Sequence, residues 1–208
     1  MIHVDLMPEP PDFDSKVRQP GIAFLHAHPN SLGSNMIKYW RKCSNQLYSA
    51  YRGICAYTGL WFSPADTPVS VDHYYPKSKC PQKAYEWDNY RLTTQIMNTY
   101  KGDKIVLDPF VIENGDIVLD FPSCLVKPRK SMTPEEKDRA MDTIKILRLN
   151  DEEQANRRCE ILLLYISGNI SRSVLETKYP FIAEELERQG LYDKIHKIMK
   201  VPVIHTGG

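Results

Sequence analysis

The run Val69-Ser70-Val71 leads straight into an acid and an imidazole, Asp72-His73, and Pro76 stops it three residues later. β-branched residues favour a strand, and a proline cannot continue its hydrogen-bond ladder. Neighbouring strand residues point to opposite faces, so Asp72 and His73 share one site only where the strand ends and twists. Upstream, "ICAYTGLWF" (54–62) reads as a strand, joined through Ser63-Pro64-Ala65-Asp66 to a second strand, "TPVSVDHYY" (67–75). Downstream, "AYEWDNYRLTTQIMNTYKGD" begins as a turn, becomes helical near Tyr90 and stops at Gly102. The expected core is strand, strand, helix.

Around that core the punctuation changes. Pro8, Pro10, Pro11, Pro20 and Pro29 mark residues 1–33 as irregular. Ser34 caps a helix expected to run to Arg52, with an apolar stripe of Ile37, Trp40, Cys43, Leu47 and Tyr51. After the core, "KIVLDPFVIENGDIVLDFP" (104–122) places strands around an Asn114-Gly115 hairpin signal. From Thr133 the chain turns helical, opening on a Thr cap, a proline and two glutamates. Further helices fill 151–168 and 171–199. The fold class expected is α+β. It divides into an irregular start (1–33), a core with a leading helix and a trailing β-hairpin (34–130), and a helical region (131–208) with apolar faces to spare for docking a partner.

Composition bounds the setting. With 42% hydrophobic and 25% charged residues the 208-residue chain is globular, and no apolar run approaches the roughly 18 residues of a membrane span. The acidic, proline-broken start is unlike a signal peptide, and five cysteines without paired spacing suit reduced thiols in a cytoplasmic protein. The net charge of +1 conceals a division: twelve Lys or Arg face five Asp or Glu over residues 15–104, and none of those acids lies in 15–65. This basic half is either a set of solvated faces or a side turned to a polyanion.

Asp72-His73 gains meaning from its company. Asn89 lies 16 residues after His73, and Asn98 lies nine further on, within the expected helix. Carboxylate and amide oxygens are hard ligands suited to Mg²⁺, which keeps several waters and accepts phosphate oxygens. A neutral imidazole takes a proton from water. Together these residue types describe metal-assisted attack of water on a phosphodiester, with His73 as base.

The stretch "ICAYTG … VDHYYPKSK … YEWDNYRLTTQIMNTYKGD" resembles the HNH family of ββα-metal endonucleases, in the subgroup whose third position is Asn. The resemblance spans roughly residues 53–104. It implies a ββα-metal core, hydrolysis of nucleic acid (DNA foremost) and a Mg²⁺ or Mn²⁺ cofactor. It also implies that Asp72 and Asn98 are metal ligands, that His73 is the general base, and that Asn89 braces the loop carrying the base. Lys77, Lys79 and Lys101 are the expected phosphate contacts, and Arg91 either contacts a phosphate or caps the turn. Many relatives carry two Cys-x-x-Cys pairs that hold a zinc ion. Here those positions are Cys55, Thr58, Thr94 and Met97, so no structural zinc is expected. Trp61, Trp87, Ile96 and Met97 are expected to pack in its place. His26/His28 and His196/His205 form no ligand pattern. The arrangement of the flanks is similar to the HNH subunit of Septu and certain retron anti-phage systems, which implies an ABC/SMC-like ATPase partner. A non-cleaving nucleic-acid-binding or regulatory module on the same ββα scaffold is the alternative.

Overall fold

The structure is a computed structural model and describes residues 1–200. It is a mixed α/β fold with two small antiparallel sheets. β1 (Val69–His73) pairs with β2 (Tyr90–Thr94), setting Asp72 opposite Arg91 and His73 opposite Tyr90. α3 (Gln95–Lys101) follows β2 without a loop, its first turn capped by the Thr94 hydroxyl, which accepts the Met97 N–H at 3.3 Å. Gly102 ends it at φ +55°, a conformation that favours glycine.

Strand, strand, helix is therefore the order, but the strands are not the two expected. Tyr90–Thr94, read from the sequence as the start of the helix, is β2. All five of its residues are buried, so the polar–apolar alternation that advertises a half-exposed strand is missing. Residues 54–62 instead form a tight turn closed by a single bridge, Ile54 to Trp61, with Gly59 at φ +64°.

The leading segments also differ. Residues 1–33 are not irregular throughout: a π-helical turn, Asp14–Arg18, runs into α1 (Gln19–Ala27). Pro20 sits in the first two positions of α1, beside this wider turn, where its ring and missing N–H cost little. Gly21 lets α1 lie against Tyr85, whose ring would collide with any Cβ there. The single helix expected from Ser34 to Arg52 is broken into 3-10 turns, Gly33–Asn35 and Tyr39–Cys43, followed by α2 (Ser44–Ala50). Trp40, Cys43, Leu47 and Tyr51 do bury as a stripe, while Ile37 is exposed. A three-residue spacing such as Trp40 to Cys43 also falls on one side of a 3-10 turn, which is why periodicity misread the backbone.

β3 (Ile117–Asp120) pairs with β4 (Leu125–Pro128), so the hairpin turns at 121–124 and not at Asn114-Gly115. Asn114 is engaged elsewhere, its Oδ1 accepting the His3 N–H at 2.8 Å. The helices α4 (Pro134–Ile146), α5 (Glu152–Ile166), α6 (Arg172–Lys178), α7 (Pro180–Arg188) and α8 (Ile195–Ile198) complete the described chain. The expected capping box at Thr133 and Glu136 forms.

These helices send apolar side chains into the core and keep others, Met141 among them, on the surface. Ile144, Leu162, Leu175, Phe181 and Leu186 join Leu92 and Met97 in one core. The Trp61 N–H donates to the Lys178 carbonyl at 2.7 Å, stitching the turn at 54–62 to α6. Leu163 and Leu164 are left partly exposed. The five cysteines are free thiols. No described helix is long and apolar enough to cross a membrane. His205 and the end of the expected helical region (201–208) lie outside the described residues.

Candidate active site

Asp72 and His73 both line one cleft of about 680 Å³ at the end of β1, together with Asn98 and Lys77. The strand end brings this about: past His73 the Tyr74 N–H still bonds to Asn89 O at 2.9 Å, and Pro76 then turns the chain away.

Asp72 is 2% exposed and firmly held. Its Oδ2 accepts the Tyr57 hydroxyl at 2.5 Å, and its Oδ1 accepts the Lys101 ammonium at 3.1 Å. Lys101 also donates to the His73 carbonyl at 2.9 Å, tying its own helix to both residues of the pair. Burial raises the Asp72 pKa from its ordinary value, against the pull of Lys101 and Tyr57.

His73 is clamped in one tautomer. Its Nε2 lies 3.0 Å from the Ala84 carbonyl, which can only accept, so Nε2 carries the proton. Nδ1, left with a lone pair, has no hydrogen-bond partner among the described residues. The ring meets Trp40 edge-on with centroids 4.6 Å apart and Tyr90 at 5.2 Å. Burial, reinforced by the positive charges of Lys77 and Lys101, lowers its pKa to about 3. The imidazole is neutral at pH 7.

Asn89 holds the loop that leaves β1. Its Oδ1 accepts the Tyr75 N–H at 2.7 Å, and its Nδ2 donates to the carbonyls of Tyr75 at 3.1 Å and Lys83 at 2.9 Å. Lys83 precedes Ala84, so one amide fixes both the loop and the carbonyl that orients His73. Asn98 stands on α3, and its Nδ2 donates to Ser70 Oγ at 2.7 Å. That bond directs the amide and leaves Oδ1 without a partner among the described residues.

The expected cations divide. Lys77 lines the cleft, half-buried, with Nζ 5.4 Å above the Trp40 ring. Its pKa is lowered, chiefly by burial. Lys79 is exposed and donates to the Asp103 carbonyl at 2.8 Å. Lys101 is fully buried on Asp72 and His73, so it is a brace and not a surface phosphate contact. Arg91 is also buried, paired with both Asp108 carboxylate oxygens at 2.9 and 2.7 Å and packed on Phe110 and Tyr74. Of its two expected roles it takes the structural one, donating to the Asp88 carbonyl at 2.8 Å in the turn before β2.

Tyr57, which lies within the quoted "ICAYTG" stretch but was given no role there, and the other wall of the cleft were not foreseen. Lys38, Trp40 and Arg41 line that wall. The acid-free stretch 15–65 was the signal that could have pointed to them.

Asp72 and Asn98 are the hard-oxygen side chains at this end of β1 that could take part in holding a divalent ion. Among the described residues no cluster of three His, Cys, Asp or Glu forms, so an ion on Asp72 and Asn98 would have one carboxylate and one amide oxygen from the protein. Mg²⁺ is commonly held by one or two protein oxygens, with water and phosphate completing its shell. The unpartnered Oδ1 of Asn98 and the second lone pairs of the Asp72 oxygens supply those donors. The four ribbon positions also come together, since Cys55, Thr58, Thr94 and Met97 line a smaller pocket of about 120 Å³. Cys55 is the sole thiol there, and Gln154 and Arg157 of α5 share the lining. Trp87 packs elsewhere, edge-on to Phe13. No protein-family model matches this chain, and no curated protein matches it.

Proposed function

We propose that the chain is a divalent-metal-dependent endonuclease of the ββα-metal (HNH) type, hydrolysing phosphodiester bonds of nucleic acid, DNA foremost. The observation that carries this reading is the His73 imidazole. It is neutral, locked by Ala84 through Nε2, and its Nδ1 lone pair remains available on a cleft that also presents Asp72 and Asn98. A water in the cleft gives its proton to Nδ1 as its oxygen bonds to phosphorus. The bond from phosphorus to the departing sugar oxygen breaks, and that oxygen takes a proton from solvent. Asp72 and Asn98 would hold Mg²⁺ or Mn²⁺. When bound, the ion supplies charge neutralisation at the phosphate and at the departing oxygen. Lys77 meets the phosphate charge, while Asn89, Tyr57 and Lys101 keep the Asp-His pair in place. Service in an anti-phage system beside an ABC/SMC-like ATPase remains part of the proposal, supported by the order of the flanking segments.

The test is His73→Ala, assayed for nicking of supercoiled plasmid with Mg²⁺ and with Mn²⁺. Loss of a general base costs about 10²–10⁴ in rate. We expect that loss with the cooperative unfolding transition and DNA binding retained. Cleavage within a few fold of wild type removes His73 from the chemistry. A wild-type chain that binds DNA yet cuts it with neither ion favours the non-cleaving binding module.

A further inference from the structure

The wall facing His73 comes from residues 33–44, outside the strand-strand-helix unit. We propose that this segment is the second jaw of the cleft and grips backbone phosphates of a nucleic-acid duplex through Lys38 and Arg41. The inference rests on the nuclease reading of the opposite wall.

Both side chains are exposed and line the cleft that holds His73 and Lys77. Of the cations near the core, Arg18, Arg91 and Lys101 each meet a carboxylate. Lys38 and Arg41 meet none among the described residues. Residues 15–65 supply no acid to neutralise them. Two acids line the cleft, Asp72 and Asp103, and Asp72 is already paired with Lys101. The mouth therefore carries surplus positive charge from Lys38, Arg41 and Lys77.

The jaw is also rigid. Trp40 and Cys43 are buried in the core on either side of Arg41, and the Cys43 thiol donates to the Trp40 carbonyl at 3.1 Å. The Tyr85 hydroxyl bonds to the Ile37 carbonyl at 2.9 Å, beside Lys38. With the backbone already fixed, only the side chains of Lys38 and Arg41 remain to be ordered when a phosphate arrives, which lowers the cost of binding. Proteins that bind single strands stack bases on exposed aromatic rings. The aromatic ring in this cleft, Trp40, is 7% exposed and already meets His73 and Lys77. Bases thus find no platform here, and a duplex presenting its phosphates is the better fit.

The experiment uses the full chain carrying His73→Ala, so that bound substrate stays intact. Binding to labelled duplex DNA, duplex RNA and single-stranded DNA is measured by anisotropy over a salt series, with and without Lys38→Ala/Arg41→Ala. Each lost phosphate contact lowers the slope of log affinity against log salt by about 0.9 for duplex DNA. We expect the double substitution to reduce that slope by about 2 and to weaken duplex binding by about tenfold or more near 0.1 M salt. Lys145→Ala, on α4, serves as the control and is expected to change neither. An unchanged slope with His73-dependent cleavage intact overturns the jaw but leaves the nuclease reading standing. Tighter, substitution-sensitive binding of the single strand overturns the duplex assignment. Preference between DNA and RNA duplex identifies which backbone the jaw accepts. Failure to bind any of the three overturns the jaw, and the nuclease reading falls with it only where the wild-type chain also fails to nick plasmid.

Discussion

At the scale of the residue, the buried pair Asp72–Lys101 and the imidazole beside it set measurable energetics. Asp72 and Lys101 are both buried, with Nζ 3.1 Å from Oδ1. Removing one partner of a buried ion pair strands the other charge and costs about 3–5 kcal/mol, whereas removing both is far less costly. We expect Lys101→Met to lose about that much in urea unfolding, and Asp72→Asn/Lys101→Met to recover most of it. Additive losses in the four-chain cycle would show that the two groups do not interact. His73 makes a pH signature. Its pKa is lowered to about 3 by burial, against an ordinary value of 6.5. Above about pH 6.5 the imidazole is neutral in both the folded and unfolded chain, so its contribution is fully present. As the pH falls below that, the unfolded chain takes up a proton that the folded chain refuses. Stability then drops by up to about 1.4 kcal/mol per pH unit until the folded pKa is reached. Asp72, whose pKa is raised by burial, runs the opposite way and loses stability as the pH rises. Unfolding free energies from pH 7 to 4 should therefore fall more steeply for wild type than for His73→Gln. Parallel curves would mean that His73 titrates in the folded chain as it does in water.

Elements show where local pattern suffices and where it does not. The Thr133 cap and α4 were legible because a Thr-Pro-Glu-Glu start carries its own hydrogen-bonding instructions. β1 was legible from its β-branched run and the stop at Pro76. Its partner was not, because β2 is buried on both faces and offers no alternation to read. The hairpin was placed one turn early, since Asn114-Gly115 does form a turn, with Gly115 at φ +89°, but one that leads into β3. A left-handed glycine marks a bend and says nothing about which strands it joins. The break of 34–52 into 3-10 turns has a functional consequence. It buries Trp40 and Cys43 while Lys38 and Arg41 stay on the cleft.

At the scale of the whole molecule, the helical tail is part of the same core as the cleft. Phe181 is buried, its N–H bonds to the Gly59 carbonyl at 3.3 Å, and its Cβ packs so closely on Gly59 that no side chain fits there. Gly59 lies in the turn that carries Tyr57, and Tyr57 holds Asp72. The tail thus reaches the site through two contacts. We expect Phe181→Ala to cost about 3–5 kcal/mol, the usual penalty for emptying a large aromatic site. The loss should appear as a shift of a single cooperative transition followed by both far-UV circular dichroism and tryptophan fluorescence. Two separate transitions, with only one of them moved, would show that the tail is an independent domain.

Legible in the sequence were the kinds of side chain that meet at the cleft and their order along the chain. Asp72 and His73 at a strand end, Asn89 in the turn and Asn98 on the following helix all stand where the pattern put them, because strand stops, caps and turns are local events. The tertiary structure alone decided which cations face solvent. Lys77, Lys101 and Arg91 look alike in sequence, yet the first lines the cleft and the other two are buried on Asp72 and Asp108. Burial depends on what packs against a side chain, and those partners lie 17 to 29 residues away. The same holds for Tyr57, Lys38 and Arg41, which enter the site only once the chain has closed on itself.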